Sequence, residues 1–271
     1  MDLQKIQSCV VPGDNIEQQG SDWKRGEVIV PAGTRVGARE MALLFEAGVK
    51  RVAGWASPRV AVVATGSEIT QEADGLSSGF RRCSNASYIA ALMSRIGVTD
   101  IRTIVVPDDI RQLTRTLVEL DAVCDVIITV GGTGKGKRDY TRQAVSDAGG
   151  VFVGHDTQLD SPFVTARLPH AGLIGLPGNP LAVMMIVQCV LLESVRSVFH
   201  LPEAPAQTVE AVMTEDIEAG ICGELCVNVN ESAAKPLIKG TGRMRVFDSA
   251  RGFVRLNGQG IKRGERVRVE L

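Results

Sequence analysis

Three acidic residues follow apolar runs that end in turns. Glu68 closes "TGSE" after "PRVAVVATG" (58–66), Asp108 stands in "PDD" after "IRTIVV" (101–106), and Asp139 ends the loop "GGTGKGKRD" after "DVIITV" (125–130). A carboxylate at a strand end beside a phosphate-holding loop suits a divalent cation, or the handling of a proton on an oxyanion. In the loop, Gly131, Gly132, Gly134 and Gly136 fall within six residues. Without Cβ atoms, their backbone amides can approach an anion closely. Lys135, Lys137 and Arg138 add charge, and a helix starting after Asp139 adds its N-terminal dipole. Gly131, Gly136 and Lys137 fit G-x-x-x-x-G-K. Arg138 stands where a nucleoside-triphosphatase loop needs Ser or Thr for magnesium, so the stretch reads as a phosphate loop of another kind. The turn "PGNP" (177–180) follows the run "AGLIGL" (171–176). Pro180 suits a first helical turn, and Gly178 and Asn179 tolerate positive φ.

Each feature also has a plain structural explanation. Asp108 and Asp139 can be helix N-caps worth about 1 kcal/mol, the loop lysines can be solvated, and "PGNP" can be a turn rather than a ligand wall. Glu68 lacks such an alternative, because no helix clearly starts there. His155, His170 and His200 are scattered, and no Ser-His-Asp or Cys-His pattern accompanies them.

Strands and helices must gather these residues. The β-branched run at 58–66 reads as a buried parallel strand. Ser84 is placed to cap a helix carrying Ile89, Leu92, Met93 and Ile96 and stopping at Gly97. Asp108 or Asp109 caps a helix through Leu113, Leu117 and Leu120, and Asp139 caps one from Tyr140 to Ala148. A long apolar helix runs from Pro180 to Val198. Alternating strands and helices predict an α/β fold with a parallel sheet covered on both faces, so three layers. In such a sheet, ligands bind outside the carboxyl ends of the strands, where all of these features lie. Before it, "GEVIVPAGT" reads as a short strand and turn, and Ala38 to Gly48 as a helix presenting Met41, Leu44 and Phe45. After Pro202, pieces such as "ELCVNVN", "GFVRLN" and "ERVRVEL" alternate between Gly and Asn turns, as in a small C-terminal β-domain. The expected divisions are 1–57, 58–202 and 203–271.

Composition narrows the class. A net charge of −1 and 4% aromatic residues argue against nucleic acid as a partner. The start lacks the apolar core of a signal peptide, and the run Leu181 to Leu192 is shorter than a membrane span. A cytoplasmic protein is expected, with its six cysteines as free thiols and Cys124 and Cys189 in the core. Cys222 and Cys226 lack the four-ligand set of structural zinc. From Lys235 to Leu271, ten Lys and Arg residues face three acids, which fits a solvated β-surface or a basic face for a phosphate or an acidic partner.

The motifs "VAVVATGSEI", "SNASYIAALMSRIG", "DVIITVGGTG…RDY" and "GLIGLPGNPLAVMMIVQ" resemble the molybdopterin-binding domain of the MoeA and MogA/MoaB proteins over residues 58–200. "LPGNP" is fairly specific to MoeA. The stretch from "GDNIEQQGSDW" to "AGVKRV" is similar to the one preceding this domain in MoeA, and the tail with "GTGRM" and "GERVRVEL" to the MoeA C-terminal domain. The resemblance implies a transferase of molybdenum-cofactor assembly, in which molybdate replaces the adenylyl group of adenylylated molybdopterin with magnesium present. It implies catalytic roles for Glu68, Asp108 and Asp139, with Glu68 and Asp139 holding the metal. Substrate contacts are implied for Asp22 in "GSD", for Thr65 and Gly66, for the loop (Gly131, Gly132, Thr133, Gly134, Lys135, Lys137, Arg138), and for Pro177, Gly178, Asn179 and Pro180. A homo-oligomer is expected, with other cofactor-maturation proteins as partners.

The chain also departs from MoeA. "TGKGKRDY" is closer to the loop of the adenylylating MogA type, Ser67 replaces an Asp, and "QLDSP" (158–162) stands where MoeA has K-P-G-K-P. Glu17 and Gln18 replace two arginines, and the large N-terminal part of MoeA, which closes the partner's active site in its dimer, has no counterpart in these residues. Losing paired cations weakens oxyanion binding by roughly 1–3 kcal/mol per charged hydrogen bond. Two other readings therefore stay open: a MogA-type adenylyltransferase, and a non-catalytic molybdopterin carrier.

Overall fold

The structure, a computed structural model, describes residues 11–70, 78–133, 140–154, 163–201, 207–237 and 248–271. It divides into two compact units, Met1–Gly54 and Trp55–Leu271. In the first, α1 (Ala38–Glu46) ends before Gly48, whose φ of 72° suits a residue without Cβ. Glu40 closes its N-terminus by accepting the Gly37 N–H at 3.0 Å. The expected strand in "GEVIVPAGT" is absent: Pro31 lacks an N–H, and no described neighbour offers it a ladder.

The second unit is built on a sheet whose strands are β1 (Arg59–Thr65), β4 (Asp100–Val106), β5 (Val126–Val130), β6 (Val151–Gly154), β7 (Val164–Arg167) and β8 (Gly172–Leu176), in the order β4-β1-β5-β8-β7-β6. A short parallel pair, β2 (Ile69–Thr70) and β3 (Arg81–Arg82), stands apart from it. Alternate residues of β1 point to opposite faces. Val60, Val62 and Ala64 join a core with α2 (Ser84–Arg95) and the helical run from Pro180. Ala61 and Val63 join a second core with α3 (Ile110–Asp121) and α4 (Thr141–Asp147). Both faces are therefore covered, and the middle of β1, Val60–Ala64, is apolar because neither side meets water.

The sheet is not wholly parallel. β1, β4, β5 and β8 run together, but β7 pairs antiparallel with both β8 and β6. The cause is connection length: Leu168–Ala171 joins β7 to β8, and a parallel crossover needs roughly a dozen residues or more. Asp121 holds that turn, its buried Oδ1 accepting the His170 and Ala171 N–H groups at 3.0 and 2.8 Å.

From Pro180 to Val198 the chain is helical: α5 (Pro180–Ile186), a widened π turn (Val187–Leu191) and α6 (Leu192–Val198). Contrary to the expectation from the shorter apolar run, these 19 residues are long and apolar enough to cross a membrane, at a mean hydropathy of 1.8. Packing in the core accounts for that composition. Val183, Ile186, Val187, Leu191 and Val195 are buried against the sheet, and Met184 packs with Cys226 of the second layer.

That layer is a closed barrel, β10-β11-β9-β13-β12, formed by β9 (Thr208–Met213), β10 (Cys222–Asn230), β11 (Ala233–Pro236), β12 (Gly252–Asn257) and β13 (Arg266–Glu270). Met213, Val227, Val254 and Val269 fill it. Its basic residues are partly matched: Arg255 pairs with Glu224 at 2.9 Å, Lys262 with Asp216 at 3.2 Å and Lys235 with Glu215 at 4.0 Å. This agrees with a solvated surface for the described part of the tail. Cys124 is buried as expected, whereas Cys189, within the π turn, is only half-buried.

Two stability predictions follow from this packing. Leu117 is fully buried between α3 and the sheet, so Leu117→Ala should cost about 2–5 kcal/mol in urea unfolding. Asp125 clamps Arg59 across strand starts, with Nε–Oδ2 at 3.1 Å and Nη2–Oδ1 at 2.8 Å. The Arg59 side chain holds the Asp125 carboxyl below its ordinary value of 3.8. A lowered folded-state pKa stabilises the fold above the ordinary value and loses that effect as pH falls below it. Asp125→Asn should therefore lower Tm modestly at pH 7, and the difference from the parent should shrink toward zero below pH 3.8 in thermal scans at stepped pH.

Candidate ligand cleft at the carboxyl edge

β1, β5 and β8 end within one residue of the same level. Register pairs Ala64 with Val130 and Val130 with Leu176, and β1 runs one residue further, where Thr65 still pairs with Val106 of β4. Space is tight there. A Cβ on Gly131 would lie 2.8 Å from Thr65 Oγ1 and 2.9 Å from Thr65 O, and one on Gly132 would lie 2.8 Å from Thr141 Oγ1. Both glycines have positive φ, 98° and 65°. Close packing thus requires them, independently of any anion. The Gly131 N–H is also committed, donating to Leu176 O at 2.9 Å. Thr141 closes the loop from the far side: its Oγ1 donates to Gly131 O and its N–H to Gly132 O, each at 3.1 Å.

A cleft of roughly 330 Å³ opens above these strand ends. Thr65, Gly66, Gly131, Gly132, Gly178 and Pro180 line it, as do Glu68 and Asp108. Two loops bring the acids there. Gly66, at φ 149°, lies against the Glu68 side chain, and the Ile69 N–H donates to Gly66 O at 3.0 Å. Ser67 and Asp108 then lock the loops together: the Asp108 N–H donates to Ser67 Oγ at 3.0 Å and the Ser67 N–H to Asp108 Oδ2 at 3.4 Å. Ser67, read as a departure from the MoeA pattern, is therefore part of the site's frame.

The structure separates the two aspartates of "PDD". Asp109 caps α3, its Oδ1 accepting the Arg111 and Gln112 N–H groups at 2.8 and 3.0 Å. Asp108 does not cap and faces the cleft. The "PGNP" turn divides in the same way. Asn179 caps α5 through the Leu181 and Ala182 N–H groups at 2.9 and 3.4 Å, and Pro180 occupies the first turn. Neither Asn179 nor Gly178 adopts positive φ, because the side-chain cap shapes this turn. Pro177 is half-buried at the end of β8. Thr133 is buried beneath the loop, and its methyl would lie 3.0 Å from a Cβ on Gly175.

Another part of the lining was not foreseen from sequence. Arg81, Arg82, Cys83, Ser84 and Asn85 also line the cleft. Ser84 does not cap α2: Cys83 holds the cap position and makes no side-chain bond there. Asn85 Nδ2 donates to Gly178 O at 3.1 Å, tying α2 to the "PGNP" turn. Burial raises the Cys83 thiol above its ordinary value. The signal was present in "FRRCSN", two cations before a helix start, but the segment reads equally well as an exposed approach to the helix.

Gly134, Lys135, Lys137, Arg138 and Asp139 lie outside the described residues, as do "QLDSP" and His155. Asp22 is exposed in the first compact unit. Of the other histidines, His170 sits in the β7–β8 turn and His200 stacks on Trp55 with ring centroids 4.0 Å apart. Among the described residues no group of three or more His, Cys, Asp or Glu could hold a metal ion by itself.

Known proteins share this frame. The family described as "Probable molybdopterin binding domain" matches residues 61–197, and the "MoeA N-terminal region (domain I and II)" matches residues 2–48. A molybdopterin molybdenumtransferase of Haemophilus influenzae is 27% identical over 175 residues, which are 64% of this chain and 43% of that protein. One of Bacillus subtilis is 31% identical over 208 residues, 75% of this chain and 48% of that protein. The chain thus spans about half the length of the curated relatives it matches. A crystal structure of a molybdopterin biosynthesis MoeA protein from Pyrococcus horikoshii superposes with a TM-score of 0.78 at 24% identity, covering 92% of this chain and 63% of that one, and so shares the fold. With the match spanning the sheet, both helical layers and the cleft, the chain belongs to the molybdopterin-binding-domain family and is MoeA-like.

Proposed function

We propose that the chain binds molybdopterin in this cleft and acts in molybdenum-cofactor biosynthesis, inserting molybdate into adenylylated molybdopterin with release of AMP. One observation carries the proposal: Glu68 and Asp108, from loops on neighbouring strands, line a single cleft at the carboxyl edge of the family's sheet. Such an edge is where ligands of open α/β sheets bind. The chain's contribution is to hold the reacting groups in place. The Ser67–Asp108 pair keeps two loops at a constant separation, and Thr65 with the two glycines gives the floor its shape.

Magnesium is part of the proposal. It keeps several waters and is held by one or two carboxylates together with substrate phosphates. Glu68 and Asp108, which line the cleft, fit that donor set, and Asp139 adds a third carboxylate in sequence. When bound, the ion neutralises phosphoryl and molybdate oxygens. The setting implied is a cytoplasmic, self-associating protein that meets other cofactor-maturation proteins.

The test is to incubate the pure chain with adenylylated molybdopterin, molybdate and magnesium and to measure AMP. Release supports insertion. Tight pterin binding without release points to a carrier, and adenylylation of molybdopterin from ATP points to the adenylyltransferase reading. Absence of pterin binding overturns all three.

The neighbouring aspartates give a paired prediction. Asp108→Asn keeps an acceptor for the Ser67 N–H but removes the charge, so AMP release should fall by roughly 10²-fold while urea stability stays within about 0.5 kcal/mol. Asp109→Ala should do the reverse, costing about 1 kcal/mol of stability through the lost cap with AMP release largely kept. Equal effects of the two variants on both quantities would contradict the assignment.

A further inference from the structure

We infer that Asn257–Gly258 is a site of spontaneous covalent modification, where the chain loses ammonia and Asn257 becomes aspartate or isoaspartate at a rate set by local opening of the β12–β13 hairpin. The inference concerns the barrel and is independent of the ligand cleft proposed above.

The sequence contains one Asn-Gly step. Asn15, Asn85, Asn179, Asn228 and Asn230 precede Ile, Ala, Pro, Val and Glu, whereas Asn257 precedes Gly258. Glycine has no Cβ to hinder approach to its own nitrogen. The deprotonated Gly258 nitrogen attacks Asn257 Cγ, the Cγ–Nδ2 bond breaks, and the leaving nitrogen takes up protons as ammonia. The resulting succinimide adds one water. Opening at Cγ gives aspartate, and opening at the main-chain carbonyl gives isoaspartate, whose backbone is longer by one methylene. Only water is consumed, and nothing is oxidised or reduced.

The fold ties up both reacting groups. The Gly258 N–H donates to Ile221 O at 3.1 Å, and Gly258 O accepts the Gly220 N–H at 2.8 Å. Asn257 Oδ1 accepts the Gln259 N–H at 3.0 Å. A donating amide keeps its proton, so these bonds must break before the attack. They lie at the surface, where Asn257 is exposed and Ile221 is 48% exposed. The hairpin around them is loosely held. β12 pairs with β10 over six rungs and β13 with β9 over five, but among the described residues β12 and β13 pair only at Phe253–Glu270. A groove of roughly 500 Å³, lined in part by Asn257, Gln259 and Gly260, lies alongside. The turn is pinned chiefly by the bridge between Ile217 and the buried Ile261, with N–H to O distances of 2.8 and 3.0 Å. Opening here breaks a few surface bonds and leaves the α/β core intact.

The change is one-way and alters the groove. Arg255 and Arg268 balance Glu265 and Glu270 along it, so a new carboxylate at position 257 tips the lining toward negative charge. Isoaspartate also disturbs the last β10–β12 rung, Cys222–Asn257.

The experiment holds the full chain in mildly alkaline buffer and follows Asn257, aspartate and isoaspartate by peptide mapping with mass spectrometry. The folded chain should convert about tenfold or more slowly than the urea-unfolded chain, because opening costs free energy. Sub-denaturing urea should barely change the folded-state rate, since local opening exposes little surface. Ile261→Ala, which loosens the turn, should speed conversion several-fold, and Leu117→Ala, in the α/β core, should leave it unchanged. Asn257→Gln should abolish the product peptides. The urea series needs no variant and stands if Ile261→Ala fails to fold. The inference is overturned by a folded chain that stays unmodified or converts as fast as the unfolded one. It is equally overturned by a folded-state rate that climbs with urea in step with global unfolding, or by Leu117→Ala speeding conversion as much as Ile261→Ala.

Discussion

The absence of two Cβ atoms beneath the cleft conditions much of what surrounds it. Thr65 ends β1 against Gly131 and Gly132, and nothing larger than hydrogen fits between them. Because β1 and β5 pair in register up to Ala64 and Val130, both chains must turn within that space. Gly66 turns one toward Glu68, and Gly131 turns the other while its N–H stays tied to Leu176 O. Thr141 then receives the returning loop through two hydrogen bonds. A side chain at Gly131 would press on Thr65 and push β1 and β5 apart at their ends, and one at Gly132 would displace Thr141.

This constraint also redistributes roles. A glycine-rich loop after a strand invites an anion-cradle reading, yet two of its glycines are required by packing and one amide is already used. The cleft carries charges of both signs, with Glu68 and Asp108 on loops after β1 and β4 and Arg81 on β3. Had Glu68 and Arg81 paired, each would have met its needs internally and competed with a ligand. Backbone bonds from Arg81 N–H to Glu68 O and from Cys83 N–H to Thr70 O hold these segments side by side instead.

Legibility followed the range of the interactions. Continuous apolar runs revealed β1, β5 and β8, and spacing of three and four revealed α2 and α3, because burial on two faces or on one stripe writes itself into consecutive residues. β7 was missed: its "VTAR" is four residues long and its partner is set by a hairpin held by Asp121, well separated in sequence. β9 and β11 were missed for a similar reason, since β11 pairs parallel with β9 across the intervening β10. In the site, Glu68 and Asp108 could be named because they follow strands. Arg81 and Asn85 could not, since they reach the cleft only through the β2–β3 pairing and the Asn85–Gly178 bond.

Adjacent residues in two motifs show why motif-level reading stops short of roles. In "PDD", the extended backbone of Asp109 (φ −131°, ψ 116°) aims its carboxylate back at the first turn of α3. Asp108, one residue earlier, is left to Ser67 and the cleft. In "PGNP", Asn179 is likewise extended and serves its helix, while Gly178 offers its carbonyl to Asn85. Each motif thus carries one residue for the fold and one for the site. The division is decided by where the first helical turn begins, because a cap must sit one residue before it. Shifting the start of α3 back by one residue would hand the cap to Asp108 and free Asp109 without changing the motif, whereas in "PGNP" only Asn179 has a side chain that can cap. The helix boundary is therefore itself a determinant of the site.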